Sequence, residues 1–167
     1  MGKKAKPAVI FLILLLIDQF TKLWAVKILK PIGSIPVIRN VLELYYVENR
    51  GAAFGIMQNK QWFFLVITLV VLAGLVWISG KIPKEQHFAP LKLCLYFVAA
   101  GAVGNMIDRI FRKYVVDFIY FRLIDFPVFN VADIYVTVAA IMLVILIVFF
   151  YREEDLDKVF SEKREQE

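Results

Sequence analysis

Four stretches of this chain, roughly 8–28, 62–80, 90–111 and 134–151, are apolar almost without a break. Each has about the 17–25 residues that a helix needs to cross a bilayer. In hydrocarbon a backbone must satisfy its own hydrogen bonds, which leaves helices and closed barrels. These runs are too long and too uniformly apolar for barrel strands, which alternate between lipid-facing and lumen-facing residues. The expected fold is therefore an all-α membrane protein with four transmembrane helices, in one four-span domain covering 1–167. Composition agrees: 60% of the residues are hydrophobic and 15% aromatic, and the mean hydropathy is +0.69, too apolar for a soluble domain of this size. Lys3, Lys4 and Lys6 ahead of the first run imitate a secretion signal. No small-x-small cleavage site follows, however, and the run continues past Asp18 to Ile28, so it reads as a retained helix.

The residues that are scarce exclude much chemistry. Cys94 is the only cysteine and His87 the only histidine. A disulfide framework, a zinc site of the usual His/Cys type and a His-supported serine or cysteine nucleophile in the membrane are all excluded. The net charge of +5 is spread over helix ends and not gathered in one patch, so membrane lipids are the expected counter-charge and nucleic acid is not a partner. Acid–base chemistry in this bilayer-bound chain falls to its aspartates.

The connections carry the remaining signals. Pro31, Gly33 and Pro36 rule out a continuous helix through 31–60. Val37 to Val47 is rich in β-branched and aromatic residues, and Asn49-Arg50-Gly51 reads as a turn, so a small β-rich flap on the membrane surface is expected. Gly51-Ala52-Ala53-Phe54-Gly55 reads on composition as a tight interfacial hinge in preference to a lip over a groove. Ala99-Ala100-Gly101-Ala102-Val103-Gly104 would let a second helix approach closely. The charged tail from Arg152 has an apolar stripe of Leu156, Val159 and Phe160, which suits an interfacial helix. Lysines and arginines divide evenly between the two sides, and the three N-terminal lysines tip the balance toward cytoplasmic termini. Loops 31–60 and 112–130, and the aspartates with them, would then face outward.

Asp18 and Lys22 lie four apart and should share a helix face as an ion pair, a reading compatible with a direct role in a site. Asp108, followed by Arg109 and Arg112, reads as a salt-bridged helix end. Asp125 beside Pro127 reads as solvated. Asp133 starts the last span, where a carboxylate suits the helix dipole. Asp117 resists such explanations: it sits in the apolar run Tyr114-Val115-Val116-Asp117-Phe118-Ile119-Tyr120-Phe121 with no cation beside it in sequence. A carboxylate so placed needs a partner or a raised pKa. A pair of aspartates provides both. Two close carboxylates share a proton; the ionised one activates water as a general base, while the neutral one polarises a carbonyl and then protonates the leaving amine. Neither a metal nor a cofactor is required. The alternative is a small proton- or cation-coupled membrane transporter, whose acids should lie near mid-membrane; of the aspartates, only Asp18 is expected near mid-span.

Four motifs in order give the chain a resemblance to a known family. They are Asp18-Gln19-Phe20-Thr21-Lys22, Asn49-Arg50-Gly51-Ala52-Ala53-Phe54-Gly55, Gly104-Asn105-Met106-Ile107-Asp108-Arg109 with Val115-Val116-Asp117-Phe118, and Phe129-Asn130-Val131-Ala132-Asp133. Together they closely resemble signal peptidase II, the bacterial lipoprotein signal peptidase. The resemblance implies a monomeric aspartyl endopeptidase in the cytoplasmic membrane, with its active site toward the outer face. Its substrates would be diacylglyceryl-modified prolipoproteins, cut just before the lipid-bearing cysteine. The implied catalytic pair is Asp117 and Asp133. The substrate-binding or supporting residues are Asp18, Asn49, Gly51, Phe54, Asn105, Asp108, Arg109 and Asn130, so that the Asn49–Phe54 stretch becomes part of the surface covering the substrate. The chain departs from the family at Lys113, where members often carry glycine.

Overall fold

The computed structural model of the protein describes residues 5–51, 57 and 60–160. Among these residues four helical segments are long and apolar enough to cross a membrane: Ala8–Ile32, Gln61–Lys81, Gln86–Phe111 and Val131–Phe150. The chain is thus a mostly helical, multi-pass membrane protein, as its apolar runs predict. The first helix, α1 (Ala5–Trp24), passes through a π-helical turn at Ala25–Leu29 into one last turn, α2 (Lys30–Ile32). It therefore runs beyond the expected end near Ile28. The π-turn explains the extension, because it buries Ala25 and Leu29 completely beneath a sheet. Pro31 falls in the first turn of α2, where a missing N–H does little harm. Gly33 then ends the helix at a φ of +87°, a conformation suited to glycine.

The expected flap is present, but it is larger than 31–60. Strands β1 (Ser34–Ile38) and β2 (Leu42–Asn49) form an antiparallel hairpin, and β3 (Val115–Phe121) pairs antiparallel with β2 to complete a three-stranded sheet. The connection 112–130, for which the sequence reading names no strand, contributes β3. Its residues have strand character, but their partner strand lies far away in the chain. Long-range pairing is decided by tertiary context and not by local pattern. Side chains alternate across a strand. Val116 and Phe118 accordingly pack on Ala25 and Leu29, while Val115 and Asp117 turn to the opposite side and line a cavity.

Helix α3 (Gln61–Lys81) buries none of its residues in the protein, which fits a lipid-facing scaffold. Helix α4 (Ala89–Phe111) is central and packs against α1, α3 and α5 (Val131–Ile145). The small-residue stretch permits this. A Cβ on Gly101 would lie 2.6 Å from the Ala132 carbonyl oxygen, and one on Gly104 would collide with the Asp18 carboxylate. After α5 a π-turn (Leu146–Phe150) leads to the amphipathic α6 (Glu153–Phe160), which packs against α3. Val159 is buried there beside Phe88, Leu91 and Tyr151, and His87 Nε2 meets Asp155 Oδ2 at 3.1 Å. The sheet lies at the opposite end of the bundle, over the C-terminal end of α1, and gathers the sites described next.

Candidate active site

Three local features bring Asp117 and Asp133 to one place. Helix α4 stops at Phe111, and Lys113 adopts a left-handed φ of +67° that turns the chain into β3. After β3 the chain doubles back so that Phe129 bridges to Ile119: the Ile119 N–H donates to the Phe129 carbonyl at 2.8 Å, and the Phe129 N–H returns a bond at 3.0 Å. Asn130, the next residue, then stands beside Asp117. Finally, Asn130 and Asp133 form a capping box on α5. The Asp133 N–H donates to Asn130 Oδ1 at 3.2 Å, and the Asn130 N–H donates to Asp133 Oδ2 at 3.0 Å. The capping reading of Asp133 is thus correct, and the cap is at the same time a wall of the cavity.

Amides hold the two carboxylates. Asp117 accepts from Asn130 Nδ2 at 2.6 Å on one oxygen and from Asn49 Nδ2 at 2.8 Å on the other. Asn49 is itself oriented by the Gly51 N–H, which donates to its Oδ1 at 3.0 Å. Asp133 accepts from Asn105 Nδ2 at 2.9 Å. Among the described residues neither carboxylate has a cationic side chain within ion-pair distance. Asp117 is 2% exposed. Burial, followed by the charge of Asp133, pushes its pKa up to about 7 against the lowering effect of the Asn49 and Asn130 amides.

Both aspartates line one cavity of about 650 Å³, together with Asn49, Gly51, Asn105 and Arg109. The rest of its wall is apolar, from Phe121, Ile124, Phe126 and Phe129 near the sheet to Ile134 and Val138 along α5. Such a space accepts a greasy chain and offers it a few convergent polar groups.

Behind the cavity lies a second acidic group. Lys22 Nζ is fully buried and sits 3.0 Å from Asp18 Oδ2 and 3.3 Å from Asp108 Oδ2. Asp108 also pairs with Arg112 and accepts the Val116 N–H at 3.1 Å, while Asp18 accepts the Ala132 N–H at 3.1 Å. Asp18 is near the middle of the span Ala8–Ile32, as expected, and its bond to Ala132 sets it beside the start of α5.

The description of the signal peptidase (SPase) II family matches residues 10–149 of the chain. The chain belongs to the signal peptidase II family. The lipoprotein signal peptidase of Caldanaerobacter subterraneus subsp. tengcongensis is 49% identical over 142 residues, covering 84% of this chain and 94% of that protein. That of Clostridioides difficile is 42% identical over the same length, covering 84% and 93%. A solved bacterial membrane enzyme superposes with a TM-score of 0.77 at 32% identity, covering 98% of this chain and 95% of its own.

Set against this signal peptidase II membership, most of the residues singled out in the sequence converge on the cavity or its support. Asn49, Gly51, Asn105, Arg109, Asp117 and Asp133 line it, and Asn130 links the two acids from behind. Asp18 and Asp108 lie in the buried ion network. The expected ion pairing of Asp108 is met by Arg112 and Lys22 and not by Arg109, whose guanidinium lies over the Phe64 ring at 4.9 Å and faces the cavity. Phe54 lies outside the described residues. The sequence pairs Lys22 with Asp18, compatibly with a role in a site, while its contacts to Asp108 and Asn105 are visible only in the structure. The available signal was a lysine inside a transmembrane run, whose three N–H donors need more partners than the one acid a turn away.

Proposed function

We propose that the protein is an aspartyl endopeptidase of the bacterial cytoplasmic membrane that removes signal peptides from diacylglyceryl-modified prolipoproteins, with Asp117 and Asp133 as its catalytic pair. The observation that carries this reading is the joint exposure of the two carboxylates to one apolar cavity, linked through Asn130 and without a cation on either. Two carboxylates that share a site hold one proton between them. The ionised member takes a proton from water as the water oxygen attacks the scissile carbonyl carbon. The protonated member donates a hydrogen bond to the carbonyl oxygen. As the C–N bond breaks, a proton passes to the departing nitrogen, leaving a carboxylic acid on the signal peptide and a free amino group on the lipid-bearing cysteine.

The cavity walls suit this substrate. Ile134, Thr137 and Val138 extend the site along α5 into the apolar zone, where the helix of a signal peptide can lie. The Phe121–Phe129 wall offers apolar surface to acyl chains, each buried CH₂ of which is worth about 0.8 kcal/mol. Arg109, free of any ion pair among the described residues, can hold a substrate carbonyl. The N-terminal lysines favour cytoplasmic termini, which puts the sheet and the cavity at the outer face. A transporter reading gains nothing from the structure, because Asp18, the acid near mid-span, is tied to Lys22 and to the Ala132 N–H.

The test is cleavage in detergent of a diacylglyceryl-modified prolipoprotein and of its unmodified form, with chelator present, by the wild type and by Asp117→Asn and Asp133→Asn. The expected result is cleavage of the lipidated form alone, lost in both variants. Near-normal turnover by either variant would overturn the assignment.

A further inference from the structure

We infer that Lys22 is a positioning residue for the carboxylate pair, acting through the side-chain amide of Asn105; the inference rests on the peptidase reading above. An ammonium group has three N–H donors and no acceptor. Lys22 is fully buried and has three acceptors: Asp18, Asp108 and, at 2.7 Å the shortest of the three, Asn105 Oδ1. Its charge is balanced inside the network. Asp18 and Asp108 supply two anions, while Lys22 and Arg112 supply two cations. The third contact is therefore not needed for charge balance, and its effect is to set direction.

An amide has a donor end and an acceptor end. With its NH₂ toward Lys22, Asn105 would set donor against donor. Lys22 therefore fixes Asn105 with its oxygen inward, which aims Nδ2 at Asp133 Oδ1, 2.9 Å away. The same oxygen accepts from Asn130 Nδ2 at 3.3 Å, and that nitrogen also donates to Asp117 Oδ1 at 2.6 Å. One buried ammonium thus sets the hydrogen-bond polarity of the two amides that hold both reactive carboxylates. Without it, Asn105 is free to turn its oxygen toward Asp133, acceptor against acceptor.

The experiment measures kcat, KM and pH profiles with the lipidated prolipoprotein for the wild type, Lys22→Met, Asn105→Ala and the double variant, with thermal unfolding followed in parallel. Lys22→Met is expected to lower kcat about 10- to 100-fold, the worth of a hydrogen bond to a charged group, with little change in KM. In the Asn105→Ala background the same change should cost no more than about threefold, since the two residues act as one unit. The alkaline limb of the profile should move to higher pH. The charged groups around Asp117 are Lys22 from α1, Arg109 from α4 and Asp133 from α5, with the neutral Asn49 reaching it from β2, and losing Lys22 removes a cation from that set. Losses that multiply, or an unmoved limb, overturn the inference.

If Lys22→Met does not fold, the charge-balanced Asp18→Asn/Lys22→Met is compared with Asp18→Asn alone. The same fall in kcat between these two supports the inference, and equal kcat overturns it. A wild type that cleaves while the losses multiply removes only the role of Lys22, whereas a folded wild type that cleaves nothing removes the peptidase reading as well.

Discussion

Asp18 and Asp108 are buried as deeply as Asp117, yet the protein treats them in opposite ways. The first two face Lys22 and Arg112; the free oxygen of Asp18 takes the Ala132 N–H, and the Asp108 oxygen that meets Lys22 also takes the Val116 N–H. Asp117 has only amides, and its neighbour Asp133 is another acid. A cation locks a carboxylate into an ion pair; an amide orients a carboxylate and brings no opposite charge. The ion network therefore joins α1, α4, β3 and α5, and the amide-held pair is left able to exchange a proton at the cavity. The sheet and bundle that position the pair rest on acids held in ion pairs.

The widest separation between the two sets should come from removing one carboxylate charge from each. Asp133→Asn is expected to cut kcat by at least about a thousandfold, as loss of an essential acid–base group does, while its unfolding temperature stays close to that of the wild type. Asp108→Asn should do the reverse and lose about 3–5 kcal/mol of stability, the usual result of breaking a buried ion pair. Its remaining folded fraction should still cleave. Paired thermal unfolding and active-site-normalised turnover would show this, and equal loss of stability in both variants would erase the distinction.

How much of this was legible beforehand differs between the two sets. The four spans follow from run length alone, and the Asp18–Lys22 pair from a spacing of four. Nothing local links Lys22 to Asn105 or Asp108, because these contacts arise only when Gly101 and Gly104 let α4 close on its neighbours. Strand β3 was hidden for the same reason: Asn49 and Asp117 meet only through the β2–β3 register, in which Val47 stands opposite Asp117. The two catalytic candidates were picked out by an acid in an apolar run and by family motifs. The amides that distinguish them from Asp108 became visible only in three dimensions.

A smaller effect tests whether amides do tune the pair. The Asn49 N–H favours the ionised form of Asp117. The shared proton is lost as pH rises through about 7, so turnover should fall along an alkaline limb in that region. Asn49→Ala removes a bond to the charged form, which raises the pKa and moves the limb to higher pH by up to about one unit, the equivalent of one hydrogen bond. The maximal rate should drop modestly, because Asp117 is less well oriented. A limb that stays in place, or moves to lower pH, would assign that titration to another group.

The smallest effect lies in the turn that joins the two sets. Between Asp108 of the network and Asp117 of the pair, Lys113 holds a left-handed φ of +67° with an exposed side chain. Glycine would suit this conformation better, since a Cβ in it costs roughly 1–2 kcal/mol. Lys113→Gly removes that strain but adds backbone entropy to the unfolded chain, worth roughly 0.5–1 kcal/mol. The net expectation is a gain of up to about 1 kcal/mol, read as a small rise in unfolding temperature. The turn holds neither a proton nor a substrate atom, so kcat, KM and the alkaline limb should stay at wild-type values. A change in kcat would mean that the turn transmits strain to Asp117, and the division between an ion-paired support and a reactive pair would have to be redrawn through Lys113.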